Sequence, residues 1–304
     1  MDSSELHFFA PRGVLKVSGE DAATFLQGQF SQDLRIKDGE VAYGLWLSRK
    51  GKILADSFVG RVSDDEFWVI SYFGDSALLK DNLDARIIMD EVEVEIPQDE
   101  WRGVSLWGDG VEASLEPLGL SLPAKGGFSA DNGVIAFWGR SGGKRSLDVL
   151  AANEESFGKL EFALGAQVSL SPEEVSIRSI EGRRFEVGHD ATSDDLPQEV
   201  GLGEIAVSYS KGCYIGQEVM ARLSSMGKSR RSLLPVLLSV MLEGEGPWAV
   251  VDEKGKKAGE VRRCFEADGR IIGSAMIKAS ALDSRSLSLA GMPDVQATVV
   301  DSSE

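Results

Sequence analysis

From Ser232 onward the patterning of the chain changes, and that change limits what it can fold into. Up to about residue 227, strand-like and helix-like runs alternate. Beyond Ser232 only short strand-like runs remain, at 233–242, 248–251, 258–264, 271–277 and 295–299. Gly, Asp and Glu turns separate them, which is the pattern of a small all-β module closed as a barrel. The boundary falls near Gly227–Arg231. It divides the chain into an α+β subdomain over 1–100, a second over 101–227 and the barrel over 228–304.

Within the first segment, residues 13–17 alternate as a strand. A helix follows from about Glu20, with Ala22, Phe25, Leu26 and Phe30 on one face. Strands at 41–47 and 53–61 are joined by the turn Ser48-Arg49-Lys50-Gly51, and another runs over 67–71. Leu79, Leu83 and Ile87 predict a helix over 75–90, and a strand at 92–96 is closed by Pro97. The order β-α-β-β-β-α-β argues for an α+β layer rather than a doubly wound sheet. In the second segment, strands are expected at 101–107, 133–138 and 146–150, a helix at 154–163, and loop over the Gly/Ser/Pro-rich 119–133. Ser171-Pro172-Glu173-Glu174 opens a further helix, reaching about Gly182, as a capping box with proline at its first position.

Composition narrows the function. The 304 residues carry 32 Lys+Arg against 49 Asp+Glu, a net charge of −17, which argues against direct nucleic acid binding. The basic run Lys228-Ser229-Arg230-Arg231 reads as a domain connector. At 42% apolar residues the chain can bury a core, yet no apolar run approaches a membrane span of roughly 20 residues. The acidic start lacks a signal-peptide pattern. Two cysteines do not make a disulfide scaffold and fit a reducing cytoplasm. The two histidines, His7 and His189, form no spaced ligand pair, so no metal site is expected; two thiols cannot hold a four-thiolate cluster within one chain. A cluster shared with a partner through Cys213 stays open. No P-loop, dinucleotide fingerprint or nucleophile elbow appears.

The sharpest segment is Lys211-Gly212-Cys213-Tyr214-Ile215-Gly216-Gln217-Glu218, followed by Arg222. Two glycines predict a shaped loop leading into a helix from about Gln217, and cations near a thiol at a helix start favour its thiolate. A buried cysteine in a tight turn accounts equally well for the spacing. Cys264, in a strand-like run, is expected to be buried.

This segment resembles the signature of the YgfZ family of folate-binding proteins, itself similar to the aminomethyltransferase (T-protein) of the glycine cleavage system. FLQGQFSQDL (25–34), LSRKGKILAD (47–56), IRSIEG (177–182) and LPQEVGL (196–202) are similar to family segments in the same order. The resemblance implies a three-subdomain ring around a channel holding tetrahydrofolate or a derivative. It also implies pterin-site carboxylates at Glu181 and Glu199, and roles at the ligand for Lys211, Gly212, Tyr214, Gly216, Gln217, Glu218 and Arg222. Asp56 matches the catalytic carboxylate of the T-protein and Cys213 the reactive thiol of the signature. Two departures weigh against aminomethyl transfer: Ala55-Asp56 keeps one member of a paired-Asp stretch, and residues 183–188 depart from the T-protein's aromatic pattern. Arg183 or Arg184 is a candidate for the ligand's glutamate tail, with solvation the alternative.

The expectation is therefore a folate-dependent accessory protein for assembly or repair of iron–sulfur enzymes, including those that modify tRNA. Its implied partners are a reduced folate and iron–sulfur assembly proteins or client enzymes. The alternatives are a folate-dependent aminomethyltransferase or demethylase, and a binding scaffold that does not use folate.

Overall fold

A computed structural model of the chain describes residues 5–108, 111, 126–131, 133–143, 146–164, 168–227, 229–282 and 287–300. Lys228 and most of the stretch expected as loop over 119–133 lie outside them. The first lobe is an antiparallel sheet of β2 (Gly13–Ser18), β3 (Val41–Leu47), β4 (Ile53–Ser63), β5 (Glu66–Ser71) and β6 (Glu93–Glu95), ordered β3-β4-β5-β2-β6. Helices α1 (Ala22–Gln29) and α2 (Ser76–Asp84) bury Phe25, Leu26, Leu79 and Leu83 against Leu15, Val17, Val59 and Val69. The Asp75 carboxylate caps α2, accepting from the Ala77 and Leu78 backbone N–H groups. The helix stops at Asp84, short of the expected residue 90. There the Arg86 and Ile87 N–H groups bond to the Leu83 and Asp84 carbonyls, tightening the last turn, and Ile87 packs against the core.

The second sheet runs β11-β1-β7-β10-β9-β8, from β1 (Glu5–Phe9), β7 (Arg102–Trp107), β8 (Phe128–Asp131), β9 (Val134–Gly139), β10 (Ser146–Ala151) and β11 (Val168–Ser169). Helix α3 (Glu154–Leu164) covers it with Phe157, Leu160 and Leu164. Three elements here are not legible in the sequence, one of them the two-residue β11. Strand β1 falls within the first hundred residues, yet it pairs with β7 from Glu5↔Trp107 to Phe9↔Gly103. Strand β8 lies inside the expected loop. Its Phe128 packs into a core between the two sheets with Phe58, Ile70, Ile135 and Phe137. Gly60 is required for that approach, because a Cβ there would overlap the Phe128 ring.

The third lobe is a closed barrel, ordered β12-β15-β14-β13-β16-β17, with β17 pairing back to β12. Its strands are β12 (Arg231–Leu238), β13 (Trp248–Asp252), β14 (Lys257–Ala267), β15 (Arg270–Lys278), β16 (Leu287–Leu289) and β17 (Met292–Val299). The three-residue β16 is not among the expected strands, and it supplies the pairing that closes the ring.

The segment between sheet and barrel joins all three lobes. Helix α4 (Pro172–Glu181) opens with the expected capping box: Ser171 Oγ accepts from the Glu174 N–H at 3.2 Å, and Glu174 accepts from the Ser171 N–H at 2.7 Å. A 3-10 turn (Pro197–Val200) and helix α5 (Gln217–Met226) follow. One shared core contains Leu45 and Ile53 of the first sheet, Ile177, Phe185, Tyr214 and Met220 of the connector, and Leu233, Ile272 and Met276 of the barrel. Among the described residues no helix is long and apolar enough to cross a membrane.

Buried ion pairs fix the barrel to this connector. Arg263 donates to Asp190 (2.6 and 3.0 Å) and Glu186 (2.9 Å), and Ser274 donates to Asp190 at 2.6 Å. Arg262 donates to both oxygens of Asp195, one at 2.9 Å, and Arg231 reaches Asp195 at 3.1 Å. Burial pushes Asp195 up, but the Arg262 guanidinium and the Thr192 N–H outweigh it and hold the carboxyl below its usual range. The Asp195 side chain is 0% exposed and that of Arg262 6%. Asp195→Ala should therefore strand a buried guanidinium and lower the unfolding free energy by about 3–5 kcal/mol; urea denaturation checks this, and a loss below about 1 kcal/mol would contradict it.

Candidate functional site

A cavity of about 590 Å³ opens where the three lobes meet. The first sheet contributes Asp56, Tyr72 and Phe73. The second contributes His7, Phe9 and, just past β9, Arg140. Helix α4 contributes Val175, Ser176 and Ser179; the stretch after it, Arg184 to Val187 and His189; the barrel, Arg263, Cys264 and Phe265. The walls are largely apolar and aromatic, with a few polar groups, the composition of a small-molecule site. Serines at 176 and 179 on the buried face of α4 fit a helix that lines a cavity rather than closing it.

Three carboxylates stand in this wall: Glu173 is exposed, and Glu186 and Asp56 are held in different settings. Glu186 accepts from Ser176 Oγ at 3.1 Å and from Arg263, while burial pushes its carboxyl up. Sequence reasoning misses Glu186, which lies outside the family-like segments; its nearest signal is its position in the Arg-Arg-Phe-Glu stretch that departs from the T-protein pattern. Asp56, on β4 opposite Leu45, is 4% exposed. Its Oδ2 accepts from Tyr43 Oη at 2.7 Å and lies 3.9 Å from Arg140, which stacks over the Tyr43 ring at 4.5 Å. Its other oxygen, Oδ1, is buried with no hydrogen-bond partner among the described residues. Burial raises Asp56 despite the opposing pull of Arg140 and Tyr43.

A second acid, Asp148, is buried against Tyr72 of the cavity wall. Tyr72 Oη donates to Asp148, which is 0% exposed, and accepts from the Arg140 backbone N–H at 3.3 Å. Asp148 has no cation partner among the described residues, and burial pushes it up to about 6. His7 Nδ1 donates to the Leu170 carbonyl at 2.9 Å, which commits that nitrogen as the protonated one. The arginines suggested for a ligand tail separate. Arg184 is exposed and lines the cavity, whereas Arg183 donates to the Val300 carbonyl.

The cysteine signature forms a different feature. Cys213 is exposed and does not line the cavity; nor do Lys211, Gly212, Tyr214, Gly216, Gln217, Glu218 or Arg222. The thiol in the cavity wall is Cys264, buried 3.8 Å from Met241 Sδ and pushed up by that burial. The signature loop is pinned to the first lobe. Lys211, 4% exposed, donates to the Phe30 and Gln32 carbonyls, each at 2.8 Å, just beyond α1. Burial lowers its ammonium to about 8. Gly216 has φ +85°, and a Cβ there would stand 2.9 Å from the Ser48 carbonyl, so the loop needs glycine to lie against the β3–β4 turn. Gly212 has no such requirement, since nothing lies within 4 Å of where its Cβ would be. Tyr214 is buried, Gln217 reaches the Lys211 carbonyl at 3.5 Å, and Glu218 and Arg222 are exposed on α5.

Glu181 and Glu199 also stand away from the cavity. Glu181 is an exposed helix-end carboxylate 3.4 Å from Arg270. Glu199 accepts from Arg231 Nε and Nη2, at 2.9 and 3.0 Å, and its Oε2 also accepts from the Leu196 N–H. Its partners are those of a structural clamp. Among the described residues, no group of three or more His, Cys, Asp or Glu is arranged to hold a metal ion.

The class defined by this architecture is a three-lobed α+β protein with a central cavity and a C-terminal barrel. That fold is shared with the glycine cleavage system aminomethyltransferase T of Bartonella henselae: TM-score 0.83, 17% identity, covering 99% of this chain and 86% of that one. The family model for the GCVT N-terminal domain matches residues 10–125.

The curated relatives include two kinds. The iron-sulfur cluster assembly factor IBA57 homolog, mitochondrial, of Neosartorya fischeri is 26% identical over 266 residues, 78% of this chain and 58% of that protein. The protein of the same name in Cryptococcus neoformans is 25% identical over 259 residues, 78% and 67% of the two chains. The aminomethyltransferase of Clostridium botulinum is 24% identical over 287 residues, 88% and 76%. The matched region thus spans little more than half the length of the Neosartorya protein.

Asp148 yields a pH signature. An unfolded chain releases the aspartate proton near its ordinary value of 3.8, whereas the fold retains it up to about 6. Between these values the native state binds more protons, so stability falls as pH rises, and it levels off above about 6. Asp148→Asn is neutral throughout and should remove this slope. Denaturation from pH 4 to 7.5 should show wild type losing about 2–3 kcal/mol relative to the variant; parallel curves would refute the assignment.

Proposed function

We propose that this chain binds a reduced folate in the three-lobed cavity and acts as an accessory protein in assembly or repair of iron–sulfur enzymes, including those that modify tRNA. The observation that carries the reading is Asp56, a residue of the aromatic-walled cavity whose Oδ1 is buried without a hydrogen-bond partner among the described residues. Leaving such an acceptor unsatisfied costs about 1–3 kcal/mol or more, so a ligand with N–H donors is the natural complement. A pterin offers amide and amine donors and a flat ring for the aromatic walls, and the cavity falls in the usual size range for such ligands. Tyr43 and Arg140 hold Asp56, and Arg184 lines the cavity where it could neutralise an anionic tail. A reduced folate, when bound, would supply a nitrogen able to carry a one-carbon unit.

The iron–sulfur part of the reading is supported by the names of the fungal relatives and by the signature from Lys211 to Glu218, which favours the YgfZ type of folate-binding protein. The exposed Cys213, on a loop pinned by Lys211, then faces partners rather than the folate. Two unpaired cysteines suit a reducing compartment; the cytoplasm is the one we propose, while the fungal relatives are named as mitochondrial. The second reading, one-carbon transfer, is favoured by the buried Asp56 carboxylate at the cavity and by the relatives named aminomethyltransferase.

Calorimetric titration with tetrahydrofolate should give saturable binding, weakened about 10- to 100-fold in Asp56→Asn through loss of a charged hydrogen bond. Unchanged affinity in that variant removes Asp56 from the site, and no binding at all sinks the folate reading. In cells lacking the endogenous protein, Cys213→Ala should fail to restore iron–sulfur enzyme activity while still binding folate. Full rescue by that variant would overturn the role given to the thiol. Methylene-tetrahydrofolate formation from an aminomethyl or N-methyl donor, lost in Asp56→Asn, would favour the second reading instead.

A further inference from the structure

A hollow of about 770 Å³ lies apart from the central cavity and shares no wall residue with it. Its lining comes from the connector, with Gln198, Glu204, Ile205 and Tyr209, from α5, with Ser224, and from the start of the barrel, with Ser232 on β12. Nothing in the folate reading uses these residues.

The hollow is rich in acceptors. Gln198 has its donors committed, to Tyr209 Oη at 2.9 Å and Met220 Sδ at 3.5 Å, while its Oε1 is buried with no partner among the described residues. An acceptor left in that state costs free energy until a donor reaches it. Glu204 is the one charged side chain in the lining; it is exposed and has no ion pair among the described residues. Ser224 belongs to the last turn of α5, where the carbonyls lack intrahelical partners and form the negative end of the helix dipole. The lip is apolar and aromatic: Ile205 is 48% exposed and Tyr209 43%. A ligand with several N–H donors, a positive charge and a flat face that can lie on a tyrosine ring answers all of these groups, and a guanidinium has each property.

The lip is also joined to the loop that carries the exposed thiol. Gln32 donates to the Ile205 carbonyl at 3.3 Å, and the Gln32 carbonyl accepts from Lys211 at 2.8 Å, two residues before Cys213. Exposed Ile205 and Tyr209 on the Cys213 side of the molecule suit the surface of a macromolecule better than a free metabolite. A chain of net charge −17 draws a basic partner to it.

We propose, resting on the iron–sulfur accessory reading, that this hollow receives an arginine side chain of a basic partner protein. The guanidinium donates to Gln198 Oε1 and the Glu204 carboxylate and stacks on Tyr209, as an interface anchor does. The hollow thereby sets where the partner's surface lies relative to Cys213.

Titration of the full chain with N-acetyl-arginine amide, followed by amide NMR shifts, tests the hollow. Saturable shifts should gather at Gln198, Glu204, Tyr209 and Ser224, and the uncharged citrulline analogue should bind at least about fivefold more weakly. Glu204→Gln should weaken the arginine probe roughly 2- to 5-fold. Shifts that miss these residues, or equal binding of citrulline, would overturn the proposal. Binding seen only after Lys228→Ala would overturn it too, by giving the hollow to the chain's own cation. The partner is tested in cells lacking the endogenous protein. There Glu204→Lys should fail to restore iron–sulfur enzyme activity, while its tetrahydrofolate affinity and unfolding midpoint stay those of wild type. Where wild type rescues, full rescue by Glu204→Lys would overturn the docking hollow and leave the iron–sulfur reading intact. No rescue by wild type would remove both. Glu204 is exposed, so its replacement disturbs no core.

Discussion

The molecule depends on carboxylates that have left water. Asp190 and Asp195 are both 0% exposed, and each is met by an arginine from the same barrel strand, Arg263 and Arg262. Taking such charges out of water costs several kcal/mol per ion, and their attraction offsets that cost only when the geometry is strict. The clamp is thus weak as a source of net stability and strong as a source of position. It fixes the orientation of β14 against the connector after α4. Because Cys264 and Phe265 follow Arg263 directly, it also sets the barrel's wall of the cavity. Without that docking there would be two packed sheets and a separate barrel, with no enclosed site between them.

The molecule also keeps its two chemically interesting groups apart. Asp56 is held inside by Tyr43 and Arg140, in a wall shared by three lobes. Cys213 is held outside, on a loop whose buried Lys211 bonds to carbonyls just past α1 and whose Gly216 lies against the β3–β4 turn. Both are anchored to the first sheet, but one faces a ligand-sized cavity and the other faces solvent. The first lobe thus carries one group in the cavity wall and the other on the outer surface.

Elements governed by local spacing are legible in the sequence. The α1 face of Ala22, Phe25 and Leu26, the strand pair around the Ser48–Gly51 turn, the capping box at Ser171 and the start of α5 at Gln217 all fall where apolar period and cap chemistry put them. The elements that escape, β1, β8, β11 and β16, are two to five residues long, and β1 and β11 exist only through distant partners. Too few side chains alternate in them to announce a strand. For the site, sequence similarity singles out Asp56, and the cavity includes it. Glu186, Tyr72, Asp148 and the Arg262–Arg263 pair carry no local signal, because a charge or a tyrosine in isolation reads as surface. Glu181 and Glu199 stand out by their segments, and the fold engages them elsewhere, with Arg270 and Arg231.

Local pattern was enough to specify the class of fold, an α+β pair of lobes followed by a barrel, because backbone period and turn chemistry act over a few residues and survive in one dimension. It was also enough to mark the Lys211–Glu218 loop as special. Contacts between distant segments settled the rest: that this loop and the cavity lie apart, that the thiol in the cavity wall is Cys264, and that Asp56 keeps one oxygen free. Burial, pairing and enclosure are properties of groups brought together from across the chain, and no local pattern encodes which carboxylate will be left without a partner.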